Sequence, residues 1–170
     1  LEDVPDRHFH MVKMKPRIAE GTLRVLPTLE GKPFEAERIV ITVRDGERVV
    51  GIADAALSVR IPDAKLWSPQ SPSLYDITME LFDGEELVDC VESYAAMREV
   101  GTVRGPAGQI RMTLNGKVVF HYGTLDQGWW PDGLLTPPSD AAMRFDIEYL
   151  KKSGFNMIRK HIKVESRRYY

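Results

Sequence analysis

The chain has 170 residues, 43% of them hydrophobic and 28% charged, with a formal net charge of −2. This is ordinary globular composition, enough for one domain of about 100–150 residues and a remainder, with no global pull toward nucleic acid or an anionic membrane. No apolar run approaches the ~20 residues of a bilayer span, and the one cysteine, Cys90, excludes an internal disulfide framework.

The chain opens at Leu1 and shows no signal peptide, which carries little weight without an initiating methionine. Residues 1–5 read as the tail of a preceding element. Residues 8–14 mix apolar and polar positions as a first strand, with Pro16 as its stop. In residues 22–30, Leu23, Val25 and Leu29 share a face, and Pro27 suits an edge strand or a bulge. Residues 37–44 alternate Ile39, Ile41 and Val43 against Val40 and Thr42. Asp45-Gly46 signals a tight hairpin, and residues 47–53 return. In residues 56–61, Leu57, Val59 and Ile61 point inward, and Pro62 ends the strand.

Residues 66–75, Leu-Trp-Ser-Pro-Gln-Ser-Pro-Ser-Leu-Tyr, form a crossing segment stiffened by two prolines. Trp67 and Tyr75 can plug the end of a sandwich. Ile77, Met79 and Leu81 then alternate against Asp76, Thr78 and Glu80, Asp83-Gly84 turns, and residues 85–94 return. Cys90 lies in this apolar pattern and is expected to be buried and inert. About seven strands with frequent turn signals describe an immunoglobulin-like antiparallel β-sandwich. The glycines of residues 98–108 place the domain boundary there.

After it the periodicity changes. Residues 110–114 and 117 onward form a hairpin through Asn115-Gly116. Residues 118–122, Val-Val-Phe-His-Tyr, read as a strand buried on both faces. Ser139 is a good N-cap for a helix with Met143, Ile147 and Leu150 on one face, Lys151 and Lys152 suit its negative end, and Gly154 fits just past it. Residues 155–158 read as a second buried strand. A strand–helix–strand unit implies a parallel pair, whose loops open on one edge.

That edge gathers the candidate site: Asp126, Gln127, Trp129 and Trp130 after the first strand, and Arg159, Lys160 and His161 after the second. Indole faces stack on sugar C–H faces, and carboxylates and amides bind hydroxyls, so the group suits carbohydrate. Two bland readings stand beside this one: tryptophans filling a seam, and Arg159-Lys160-His161 forming ion pairs with residues such as Glu165. Asp146 and Glu148 are expected to face solvent and do not make an acid/base pair. His8 and His10 could share a strand face, but no third metal ligand follows at a recognisable spacing. The basic residues of the last twenty positions are interrupted by Glu165 and read as helix-end and site charges, not as a nucleic-acid patch.

Four motifs resemble glycoside hydrolase family 2: the 66–75 segment, the strand at 89–98, Leu114-Asn115-Gly116-Lys117, and Gly154-Phe155-Asn156-Met157-Ile158-Arg159-Lys160-His161. They stand in the family's order and span nearly the whole chain. The resemblance implies a mostly β chain in three parts: residues 1–4 ending a sugar-binding jelly roll, 5–100 an immunoglobulin-like sandwich, and 108–170 the first strand–helix–strand of a (β/α)8 barrel. It implies a retaining β-glycosidase, β-galactosidase-like, that cleaves a terminal β-glycoside. Such a barrel takes about 250 residues, so its catalytic carboxylates are expected beyond Tyr170 and no catalytic residue is assigned here. Asp126, Gln127, Trp129, Trp130, Arg159 and His161 are expected to line the sugar pocket. Many members of the family carry arginine and histidine where Asp126 and Gln127 stand, the family's histidine sits one residue further from the arginine than His161, and Ala96 replaces its strand glycine. No cofactor, metal, nucleic acid or membrane span is expected. The resemblance implies a carbohydrate substrate, with room for a homo-oligomer, and leaves the compartment open between bacterial cytoplasm and periplasm. The alternative is a stand-alone immunoglobulin-like module that binds carbohydrate or acts as a spacer, without catalysis.

Overall fold

The computed structural model describes residues 3–170, so the jelly-roll tail expected at residues 1–4 rests partly on Leu1 and Glu2, outside the described residues. The chain divides into two compact units, the first ending at Val118 and the second starting at Val119.

The first unit is built of antiparallel sheets. Strands β1 (His8–Arg17), β2 (Thr22–Glu30) and β5 (Ser58–Arg60) form one, in the order β1-β2-β5. Strands β3 (Glu37–Asp45), β4 (Arg48–Asp54), β6 (Tyr75–Asp83) and β7 (Glu86–Ala95) form another, in the order β4-β3-β6-β7. Their inward faces share one apolar core. Leu23, Val25 and Val59 come from the first sheet, and Ile41, Val43, Ile77, Met79 and Leu81 from the second. The two-residue alternation of β6 is complete, with Tyr75, Ile77, Met79 and Leu81 buried and Asp76 exposed. This arrangement is consistent with a β-sandwich.

The crossing segment closes one end of it. Tyr75 is buried, and its hydroxyl accepts a hydrogen bond from the Lys65 amide at 2.7 Å. The Trp67 amide donates to the Met97 carbonyl at 3.0 Å, and the Arg98 guanidinium lies 4.6 Å from the Trp67 ring centroid. Arg7 and Glu37 form a two-bonded ion pair at 2.7 and 2.9 Å.

Three expectations change. Pro16 does not stop β1, which continues to Arg17. β1 is an edge strand of its sheet, where a missing N–H is tolerated. Leu57 is 42% exposed and not inward, although its carbonyl accepts from the Val25 amide at 2.9 Å. Cys90 is exposed, not buried. It lies on edge strand β7, and partial burial with the nearby Glu80, Glu92 and Asp89 charges pushes its thiol pKa up, so it is a poor nucleophile.

Residues 98–108, where the boundary is expected, contain β8 (Val100–Arg104). It pairs with β9 (Ile110–Leu114), which pairs with the short β10 (Lys117–Val118) through the Asn115-Gly116 turn. Asn115 and Gly116 both have positive φ, 50° and 75°, as a primed hairpin turn requires. The Asn115 side chain donates to the Trp67 carbonyl at 2.9 Å and accepts from the Glu99 amide at 2.9 Å.

The second unit is a strand–helix–strand. Its strands are β11 (Gly123–Asp126) and β12 (Met157–Lys160), which are parallel, and α1 (Asp140–Lys152) joins them. Ser139 caps the helix by accepting from the Ala142 amide at 3.1 Å, and Gly154 follows its end at φ 89°. The strand expected at residues 118–122 does not form: residues 119–122 are not extended strand, and Phe120 is 80% exposed. Asn156 is the reason. Its side chain donates to the Phe120 carbonyl and accepts from the Tyr122 amide, both at 2.8 Å, so those backbone groups are already partnered. Pairing starts at Gly123, where a Cβ would collide with the Met157 carbonyl and only glycine fits. No helix among the described residues is long and apolar enough to cross a membrane.

Candidate functional site

The register of the parallel pair sets the site. Leu125 lies opposite Arg159, and Asp126 opposite Lys160, so both strands finish together. Gln127, Trp129 and Trp130 leave one strand end and His161 the other, on one edge as the spacing predicts. Asp126 is itself the last strand residue, so its direction is fixed by the pleat.

A network of charges knits this edge. The Lys160 ammonium donates to Asp126 Oδ2 and to Glu165 Oε1, both at 2.7 Å. The Lys163 ammonium sits 3.0 Å from the same Glu165 oxygen and donates to the backbone carbonyls of Gly128, at 3.2 Å, and of Leu135. The side chains of Lys160, Lys163 and Glu165 are only 12%, 11% and 5% exposed. Asp126 Oδ1 accepts from the Gly128 amide at 2.6 Å, and the Tyr169 hydroxyl donates to Oδ2 at 3.5 Å. Lys160 also lies 4.9 Å from the Tyr169 ring centroid.

The protonation states follow from these contacts. Burial opposes ionisation of Asp126 and Glu165, but hydrogen bonds from the lysines outweigh it and hold both carboxyls below their ordinary values. Burial likewise opposes the Lys160 charge, yet its bonds to the two carboxylates raise its pKa. Burial raises that of the Tyr169 hydroxyl, and Asp126 and Glu165 add to the rise. Asp126 and Glu165 share one ammonium, and both carboxyls are held low, whereas a general acid works with a raised pKa.

The predicted site residues divide. Gln127 Nε2 and His161 Nδ1 are 3.2 Å apart, within hydrogen-bond reach. Trp129 is 57% exposed and offers its indole to solvent. Trp130 is partly buried, its backbone is doubly bonded to Leu134, and its indole N–H is enclosed without a partner. Arg159 is exposed and, by strand alternation, points to the opposite face from Lys160. It joins no ion pair among the described residues, so the pairing with Glu165 falls to Lys160 and Lys163. Sequence reasoning named Glu165 only as an ion-pair partner and did not single out Lys163 or Tyr169. The alternation of Lys163 and Glu165 was the available signal. Asp146 and Glu148 are exposed on α1. His8 donates through Nδ1 to the Pro5 carbonyl at 2.8 Å, and Glu30 lies 3.8 Å from His8 and 3.3 Å from His10. The edge thus presents an exposed indole, an amide–imidazole pair and a neutralised charge network, a set suited to a polyhydroxyl ligand.

Residues 15–98 match the model of glycosyl hydrolases family 2. A beta-galactosidase of Enterobacter cloacae is 28% identical over 89% of this chain, and beta-galactosidase 2 of the same organism is 33% identical over 70%. The matched regions are 16% and 12% of those two proteins, so the chain spans a small part of these curated relatives. The crystal structure of Ruminococcus gnavus beta-glucuronidase shares the fold, with a TM-score of 0.84 over 97% of this chain and 27% of that one, at 16% identity.

Proposed function

We propose that this chain, whose family match and relatives support a place in glycosyl hydrolase family 2, is part of a retaining β-glycosidase that cleaves terminal β-galactosides. The match of residues 15–98 to the family model carries this reading. In it, residues 5–100 are the immunoglobulin-like sandwich and residues 108–170 begin the catalytic (β/α)8 barrel. The parallel β11–β12 pair, joined through a helix, has the connectivity such a barrel repeats.

On this reading Trp129 stacks on the nonreducing-end sugar, and Gln127, His161 and Arg159 bind its hydroxyls. Trp130 and Asp126 support the loop more than they touch the ligand, given the Trp130–Leu134 pairing and the Asp126–Lys160 bond. Double displacement needs one carboxyl able to donate a proton and another free to attack. On this reading that pair lies beyond these 170 residues, as the family resemblance implies, and Asp126 and Glu165, bonded to lysines, serve the shape of the strand ends.

The test is turnover of aryl β-galactosides and β-glucuronides by the whole protein and by the 170-residue chain. Galactoside turnover by the whole protein, with none by the chain, is expected. Activity of the isolated chain would overturn the placement of the carboxylates. Sugar binding without turnover in the whole protein would favour a non-catalytic module.

A further inference from the structure

We infer that Lys163, anchored by Glu165, is a positioning residue that sets the shape of the tryptophan loop and thereby the fit of its sugar. The inference rests on the carbohydrate reading above. Lys163 does not reach toward solvent: its side chain is 11% exposed, and its ammonium is engaged by three acceptors, the Glu165 carboxylate and the carbonyls of Gly128 and Leu135. Those two carbonyls bracket Trp129 and Trp130. One ammonium therefore ties both ends of the segment that carries the indoles to the chain beyond β12.

Gly128 supplies an independent observation. It is buried at φ 67°, and a Cβ there would lie 2.7 Å from both Glu165 Oε1 and Lys163 Cδ. The loop backbone thus lies against the pair, so any Cβ would press on both side chains, and its positive φ favours glycine. Three further backbone amides of the loop are also engaged. The Gly128 amide goes to Asp126, and Trp130 and Leu134 exchange two backbone bonds. Charge is balanced, because Lys160 and Lys163 face Asp126 and Glu165, so the clamp needs no ligand to neutralise it. Loss of the Lys163 ammonium frees two carbonyls and leaves Glu165 with one lysine, and the indoles lose their fixed position.

The experiment uses the whole protein with Lys163→Met, which keeps the aliphatic stem, and Glu165→Gln as the milder variant. The first readout is hydrogen exchange in peptides spanning residues 127–136, which needs no activity. Both variants are expected to exchange about tenfold faster there, with peptides of β3 and β6 unchanged. The second is the split between KM and kcat on an aryl β-galactoside, where KM is expected to rise about tenfold while kcat falls less than threefold. Unchanged exchange in the loop overturns the inference. So does faster exchange with an unaltered KM, because the loop is then clamped for folding alone. If the wild-type protein turns over no β-glycoside, the functional reading fails, and the exchange data alone still decide whether Lys163 holds the loop.

Discussion

The two units hold themselves together in different ways. In the first, two sheets bury a continuous apolar core whose largest side chains, Leu23, Ile41, Ile61, Ile77, Met79, Leu81 and Met97, have essentially no exposure. In the second, Met143 is the one fully buried large hydrophobe among the described residues, while Phe145, Tyr149, Ile162 and Val164 are 60% exposed or more. What is buried there instead is charge. Within these 170 residues, the sandwich is stabilised by non-directional burial, which tolerates surface change, while the strand-end unit is held by a few directional contacts. A unit of the second kind holds loops in defined positions, but a single lost group releases them.

Core truncation is the strongest way to break the contrast. Met79→Ala opens a cavity at the centre of β6 and is expected to cost about 3–4 kcal/mol, read from the denaturant midpoint. The matched change in the second unit, Met143→Ala, is expected to cost less, about 2 kcal/mol, because Met143 stands outside the continuous apolar core. Equal losses would show that the two units do not differ in kind.

The next lever is pH. Asp126 and Glu165 have folded-state pKa values below their ordinary ones. Their contribution is therefore complete above the unfolded carboxyl range and is lost as pH falls below about 4. The Lys160 pKa is raised, so its contribution is complete below the unfolded lysine value and is lost as pH rises through the folded one. Hydrogen exchange in residues 123–136 and 157–165 should rise at both extremes, while core peptides such as those of β6 respond less. Glu165→Gln should flatten the acid limb and weaken the unit by about 1.5 kcal/mol at neutral pH, since Lys160 and Lys163 then lose a shared charged partner. An acid response of equal size in both units would remove the electrostatic half of the contrast.

The same contrast explains what could be read in advance. Burial leaves a periodic trace, so the alternation of β6, the hairpins at Gly46 and Gly84 and the cap at Ser139 were legible from residue order. Pairwise chemistry leaves none. Residues 118–122 are apolar enough for a buried strand, yet the Asn156 side chain, 34 residues from Tyr122, takes their backbone groups. Cys90 sits in an apolar run, but β7 is an edge strand and that position faces outward. The gathering of the rim followed from strand–helix–strand connectivity alone. The Lys160–Glu165–Lys163 network did not, because local sequence does not show that one carboxylate serves two lysines and that one of these brackets the tryptophan loop.

The smallest effect sharpens the contrast most finely, since it concerns a contact that owes nothing to either core. Ser139 accepts from the Ala142 amide and satisfies one of the unpaired donors at the start of α1, with Asp140 in the favourable first turn. Ser139→Ala is expected to cost about 1 kcal/mol and to speed exchange in the first turn of the helix before its last turn. Aspartate at the same position restores the acceptor, so Ser139→Asp should leave stability within a few tenths of a kcal/mol. If alanine and aspartate behaved alike, the helix would be held by its Met143 face and not by its cap. The second unit would then rest on apolar burial, as the first does, and not on directional contacts.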